Sequence, residues 1–172
     1  MAAMATGVAW ALASPVGGAP DDNYHQTSIW CAAGDTNTCT LLRDADGTVT
    51  AVVPERVARS ELCYRFQPET SAACSNAVGN RPTRYVGPPL ERLYPGGYYD
   101  AMHLFVRDEI AQSVLLIRIG NVVIATALIG AVLLVAGASA RTMLTLGLLA
   151  ASVPLGWFVL ASVNPSRGRS RG

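Results

Sequence analysis

The sequence predicts a mainly α-helical integral membrane protein. A partial or complete N-terminal helix comes first, then an extracytoplasmic cysteine-containing loop domain with a small β-hairpin, then a transmembrane helical hairpin. Three observations predict this class. Two long apolar stretches, Ser113–Gly137 and Thr142–Val163, fill the C-terminal third, and together they hold a single charge, Arg118. Each meets the roughly 20 residues a helix needs to cross the hydrocarbon core. Neither has the polar face of a surface helix, so a soluble domain this small could not bury both all round. The four cysteines all lie in the polar region before them, where an even count fits an oxidising compartment.

Composition agrees. The 172 residues are 51% hydrophobic and 15% charged, with a formal net charge of +1 and mean hydropathy +0.30. That balance points to no nucleic-acid partner. All 13 basic residues are Arg, a bias of GC-rich codons rather than of function.

Residues 1–20 are apolar and uncharged. They read as the outer part of a first transmembrane helix, or as a signal-like segment ending near Ala11-Leu12-Ala13, though without a basic n-region. A soluble tail would be less apolar. Residues 21–97 form the loop domain. Cys31 and Cys39 are separated by seven residues and Cys63 and Cys74 by ten, spacings unlike those of zinc sites. Sequential pairing closes the shortest loops, but three pairings are open to four cysteines. Thr40–Arg43 and Thr48–Val53 flank Asp44-Ala45-Asp46-Gly47, a hairpin signal. An EF-hand is excluded because Val49 stands where its invariant Gly is needed. Pro54-Glu55-Arg56-Val57 opens a short helix, and Gln67–Pro89 reads as loop with many breakers.

Tyr94-Pro95-Gly96-Gly97 reads as a turn. Residues 98–112 then form an amphipathic juxtamembrane helix, with Asp100 as cap, Met102, Phe105, Val106 and Ile110 on one face, and Tyr98 and Tyr99 at headgroup level. Transmembrane helices are expected at 113–137 and 142–163, joined by a short connector, with a basic tail at 164–172. With the cysteine loop outside a plasma membrane crossed several times, Arg141 lies inside. The tail then falls outside, against the positive-inside tendency.

Four stretches, in order, resemble one family. Pro20-Asp21-Asp22-Asn23-Tyr24-His25 is similar to the P-D-E-x-x-H signature after the first membrane helix of a group of actinobacterial multispanning proteins, domain of unknown function family 2142. Tyr94-Pro95-Gly96-Gly97-Tyr98-Tyr99 is similar to its Y-P-P-x-Y-Y, Leu116-Ile117-Arg118-Ile119 to its L-M-R-L, and Ser162-Val163-Asn164-Pro165-Ser166 to its S-V-N-P-S. Asp22 stands where the family has Glu, and Gly96-Gly97 replaces a Pro-rich pair. Members are much longer, so the chain is expected to be an N-terminal fragment, inactive alone. The departure after Ser166 suggests truncation or a shifted frame.

The family in turn resembles the GT-C membrane glycosyltransferases, which use polyprenyl-phosphate sugar donors for cell-envelope glycans and place an acid directly after their first helix. The resemblance implies catalytic roles for Asp21, Asp22 and His25. Asp21 would be the base that takes the acceptor's proton, Asp22 its partner and His25 an orienting group. Asp21 and Asp22 are also candidate ligands of a divalent cation, which favours oxygen donors. Arg118 would hold the carrier phosphate, because a charge inside a membrane helix is expensive and guanidinium matches phosphate. Plain alternatives are a helix cap for the two acids, snorkelling to headgroups for Arg118 and a surface role for His25. A non-catalytic membrane-anchored envelope protein is the competing function. A transporter piece is disfavoured, because two spans enclose no pathway. No P-loop, Rossmann or nucleophile-triad pattern stands out.

Overall fold

The structure is a computed structural model that describes residues 2–19, 21–88, 90 and 96–163. Pro20, Tyr94-Pro95, Asn164-Pro165-Ser166 and the basic tail lie outside the described residues. Among the described residues, seven α-helices and a three-stranded sheet follow one another. The helices are α1 (Ala2–Ala13), α2 (Asp22–Trp30), α3 (Glu55–Arg59), α4 (Gly96–His103), α5 (Ile110–Val135), α6 (Ala138–Ala151) and α7 (Pro154–Leu160). The strands are β1 (Thr40–Arg43), β2 (Val49–Pro54) and β3 (Pro82–Arg84).

The cysteine-bearing region folds on a small antiparallel sheet of order β1-β2-β3, with Thr40 opposite Val52 and Val53 opposite Thr83. The β1–β2 turn uses Gly47 at φ +87, where a side chain would be strained. Asp46 Oδ1 accepts from the Thr48 N–H at 3.0 Å, and Arg84 Nη2 reaches both oxygens of Asp44, at 2.8 and 3.0 Å. The two acids therefore serve the turn and the sheet. The third strand lies within the stretch expected to be all loop. Three residues containing a proline give no period-2 signal, and only the returning chain supplies their partners. Disulfides join Cys31 to Cys39 and Cys63 to Cys74. The second ties two 3-10 turns, Ser60–Cys63 and Ala72–Ala77.

The core of this region continues into α5. Ile29 and Trp30 of α2, Val53, Val57, Met102 of α4, and Ile110, Val114 and Ile117 of α5 are all buried in one cluster. The α5 positions repeat at helical spacing, so one stripe of its first turns faces the loop domain. Beyond Val122 the helix changes partners: Leu128, Val132, Leu134 and Val135 are exposed. At 26 residues, α5 is the one helix among the described residues that is long and apolar enough to cross a membrane. By its rise it extends about 39 Å. Helix α1 packs along α5 and against α7, with Trp10 edge-on to Phe158 at 6.2 Å between ring centres.

Two expectations are corrected here. The amphipathic segment is not one helix over 98–112. Helix α4 ends at His103, and α5 starts afresh at Ile110, where the Glu109 side chain accepts from the Gln112 N–H at 2.7 Å. Asp100 lies inside α4 rather than capping it, and Tyr99 is buried rather than at a lipid interface. The second apolar stretch is likewise not continuous: α6 stops at Ala151 and α7 begins with Pro154 at its first position. Proline disfavours helical backbone in the residue before it and suits the first turn of the helix it opens.

Candidate functional site

The start of α2 sets the geometry. Asp21 precedes the helix with φ 59, a left-handed backbone uncommon outside glycine. It occupies the N-cap position, yet its carboxylate makes no capping hydrogen bond. Aspartate at this position ordinarily satisfies an orphan N–H of the first turn. Here the side chain is exposed and lines a cleft of about 790 Å³. Tyr24, His25, Glu61, Tyr64 and Arg65 line the same cleft. Glu61 and Arg65 pair across one turn at 3.1 Å. Burial pushes the Glu61 carboxyl above its ordinary range, Arg65 opposes that, and the negative charges of Asp21 and Asp22 add to it. Burial also pushes the Tyr64 hydroxyl up to about 12, so it stays protonated. That hydroxyl donates to the Gly17 carbonyl and fixes the loop leading to Asp21.

His25 forms part of the cleft wall and is itself almost wholly buried, its Nδ1 hydrogen-bonded to the Tyr99 hydroxyl at 3.0 Å, with the two rings stacked. Asp22 points the other way. It is 0% exposed, and its Oδ2 accepts from Arg118 Nη2 at 3.3 Å and from the Ala19 N–H at 3.2 Å. Burial raises the Asp22 carboxyl, and the Arg118 guanidinium pulls it back toward the ionised form. Arg118, 2% exposed, also donates to the Ser14 carbonyl at 2.6 Å and the Pro15 carbonyl at 2.8 Å. These follow the end of α1, where carbonyls lack helical partners and a cation is favoured. A third set lies beside this pair. Asn121 Nδ2 donates to the Ser162 carbonyl at 2.8 Å and to the Tyr98 hydroxyl at 3.1 Å, and that hydroxyl donates to the Val163 carbonyl at 3.1 Å.

The fold thus draws together the described parts of all four motif stretches. Of the residues singled out from sequence, Asp21 and His25 line the cleft. Asp22 and Arg118 do not; they join each other beneath it. Arg118 neither snorkels to the headgroups nor offers its Nη atoms to a ligand, because Asp22 and two carbonyls hold them. The cysteines are spent in disulfides. As for a divalent cation, Asp21 and Glu61 supply two oxygen-bearing groups on one cleft, while Asp22 is committed to Arg118. Among the described residues no three His, Cys, Asp or Glu side chains gather as a metal-holding group. Two carboxylates do not complete the coordination a hard cation demands, so the residues present do not by themselves fit one. Glu61, Tyr64 and Arg65 escaped the sequence reading because they belong to no motif. Asn121 left a signal, an amide in the apolar run of α5 at i+3 from Arg118.

A family model described as predicted membrane protein (DUF2142) matches residues 4–167. Among curated proteins and among solved structures nothing matches.

Proposed function

The chain belongs to the DUF2142 family of predicted membrane proteins, and on that premise we propose that it carries the acidic site of a GT-C-like glycosyltransferase. In this reading the enzyme takes a sugar from a polyprenyl-phosphate carrier at the outer face of the plasma membrane and builds cell-envelope glycan. One observation carries the proposal. Asp21 stands at the start of a helix directly after an apolar one, in a strained backbone, with a carboxylate that caps nothing and faces a cleft. Strain of this kind is retained where the surroundings over-determine it, often at functional sites.

The chemistry is a displacement at the anomeric carbon. The acceptor hydroxyl forms the new C–O bond as its proton passes to the Asp21 carboxylate. The bond to the carrier phosphate breaks and its electron pair leaves with the phosphate. His25 positions the α2 start against α4, and Tyr64 holds the preceding loop. Arg65 is the guanidinium this cleft offers to the leaving phosphate. Arg118 becomes a positioning residue that secures Asp22 beneath Asp21. The two disulfides support placing the loop domain on the oxidising side.

The test is Asp21→Asn in membranes containing the protein, together with any coding sequence that continues beyond Gly172, with sugar transfer from a polyprenyl-phosphate donor as readout. Loss of a general base predicts a fall of roughly 10²–10⁴-fold with unchanged thermal stability. Equal transfer by both forms refutes the base role. The stapled domain and buried ion pair also favour a second reading, a non-catalytic membrane-anchored envelope protein, for which neither form transfers sugar.

A further inference from the structure

Phe66 is the most exposed large apolar side chain among the described residues, at 90%, and its backbone lies in the left-handed region at φ +60. That region is an outlier for a bulky residue and persists where the surroundings over-determine it. Several contacts brace it here. The Tyr64 hydroxyl donates to the Gly17 carbonyl, and the Cys63–Cys74 disulfide closes the loop. The Gln67 N–H donates to the Tyr64 carbonyl at 2.9 Å and the Thr70 N–H to the Gln67 carbonyl at 3.0 Å, so 64–70 is a pair of tight turns. The Arg65 guanidinium lies 5.0 Å from the centre of the Phe66 ring. A braced turn thus presents an aromatic ring outward, where contact with water gains the fold nothing.

The neighbours of this loop give its height on the molecule. Counted back from Val135, the roughly 20 residues a helix needs to cross hydrocarbon reach Leu116 of α5, which sets the seam between bilayer and loop domain. Leu115 lines a single cleft with Leu12 of α1 and with Ser71, Ala72 and Ala73, so the far end of the loop sits at that seam. The near end does too. Gly17, which Tyr64 holds, lies two residues after Pro15, whose carbonyl accepts from Arg118. Phe66 is two residues from Tyr64, a reach of about 7 Å at most along the chain. Leu12, in the last turn of α1, is 64% exposed, so the lipid-facing surface of α1 runs up to the loop. Aromatic side chains are favoured at this level, between headgroups and acyl chains. We propose that the loop 64–70 is an interfacial anchor, with Phe66 seated in the headgroup–acyl boundary of the bilayer beside α1. Arg65 also lines the Asp21 cleft, so the anchor sets one wall of that cleft at the membrane surface. It requires no reaction and stands apart from the sugar-transfer reading.

The experiment reads the fluorescence that Phe66→Trp adds to the signal of Trp10, Trp30 and Trp157, with the protein in phosphatidylcholine vesicles. Lipid brominated near the headgroup end of its acyl chains should remove about half of the added emission or more, because an interfacial side chain enters about 5–10 Å into that boundary. Iodide in the buffer should remove far less than it removes from Leu41→Trp. That control lies on β1, whose Thr40 lines a cleft with Ile110, away from the seam. Iodide quenching equal to that of Leu41→Trp, with no loss to bromine, puts the ring in water and overturns the anchor. Added emission that neither quencher reaches means that protein covers the ring, a second copy or another segment, and overturns lipid as its partner. Phe66→Asn suits the left-handed backbone and removes the ring. Amide exchange over 64–71 in vesicles should then quicken severalfold, and unchanged exchange counts equally against the anchor.

Discussion

The Asp22–Arg118 pair joins residues 96 positions apart in an environment nearly free of water. Removing one partner leaves the other charged and buried, a change that costs about 3–5 kcal/mol where measured in other proteins. Asp22→Asn and Arg118→Met should each destabilise on that scale. The double variant should lose less than the sum of the two, because it leaves no orphan charge. Thermal unfolding of the four proteins in detergent checks this, and strict additivity would count against the pair. Glu61 gives a pH-dependent test. Its carboxyl is raised above the ordinary 4.5 by burial, so the folded chain holds that proton more tightly than the unfolded chain. Stability from this residue is therefore full below 4.5 and is lost as pH rises through its higher folded value. Glu61→Gln does not titrate, so its melting temperature relative to wild type should climb between acid and neutral pH. A constant difference would contradict the assigned environment.

Among the elements, α1 and α5 approach closely at Gly7. A Cβ there would meet Val122 Cγ1 at 2.7 Å, so the glycine is what lets the two helices touch. Gly7→Ala should destabilise by about 1–3 kcal/mol through overpacking, and Val122→Ala in the same chain should restore much of the loss. Melting curves of the single and double variants decide. The Cys63–Cys74 disulfide closes a loop of sequence separation 11 and joins two short 3-10 turns that also pack against each other. Replacing both cysteines by Ser should cost about 3 kcal/mol, measured by denaturation of wild type and variant under oxidising conditions. The α6–α7 break has a local cause in Pro154. The exposed apolar side chains of α6, among them Met143, Leu146 and Leu149, have a physical home in hydrocarbon rather than water.

For the whole molecule, membership of a membrane-protein family and the apolar surface of α5 agree on a bilayer as its surroundings. The side on which the loop domain lies is a proposal with its own test. After reduction, a membrane-impermeant maleimide should label the cysteines in intact cells. Labelling confined to permeabilised cells would place the domain in the cytoplasm. Much of this architecture was readable in advance. The β1–β2 hairpin, the short helix after Pro54 and the long apolar α5 carry local signals: a Gly-containing turn, a proline start, an unbroken apolar run. The start of α2 was readable only as an alternative, a cap. The third strand, the end of α4 at His103 and the burial of Tyr99 had no local signal, because each depends on segments distant in sequence.

Sequence by itself determined the material of each segment. Unbroken apolar runs demand hydrocarbon, a polar stretch with an even number of cysteines suits an oxidising side, and Asp21, Asp22, His25 and Arg118 are chemistry-bearing groups at the seam. Tertiary structure alone decided which of them is available. It buried Asp22 against Arg118 and turned Asp21 outward, because successive residues at a helix start diverge in direction and only one faced the gap between α1 and α5. It also brought Glu61 and Arg65 to the same cleft. Local pattern fixes what a residue can do, and packing between distant segments fixes whether water and a ligand can reach it.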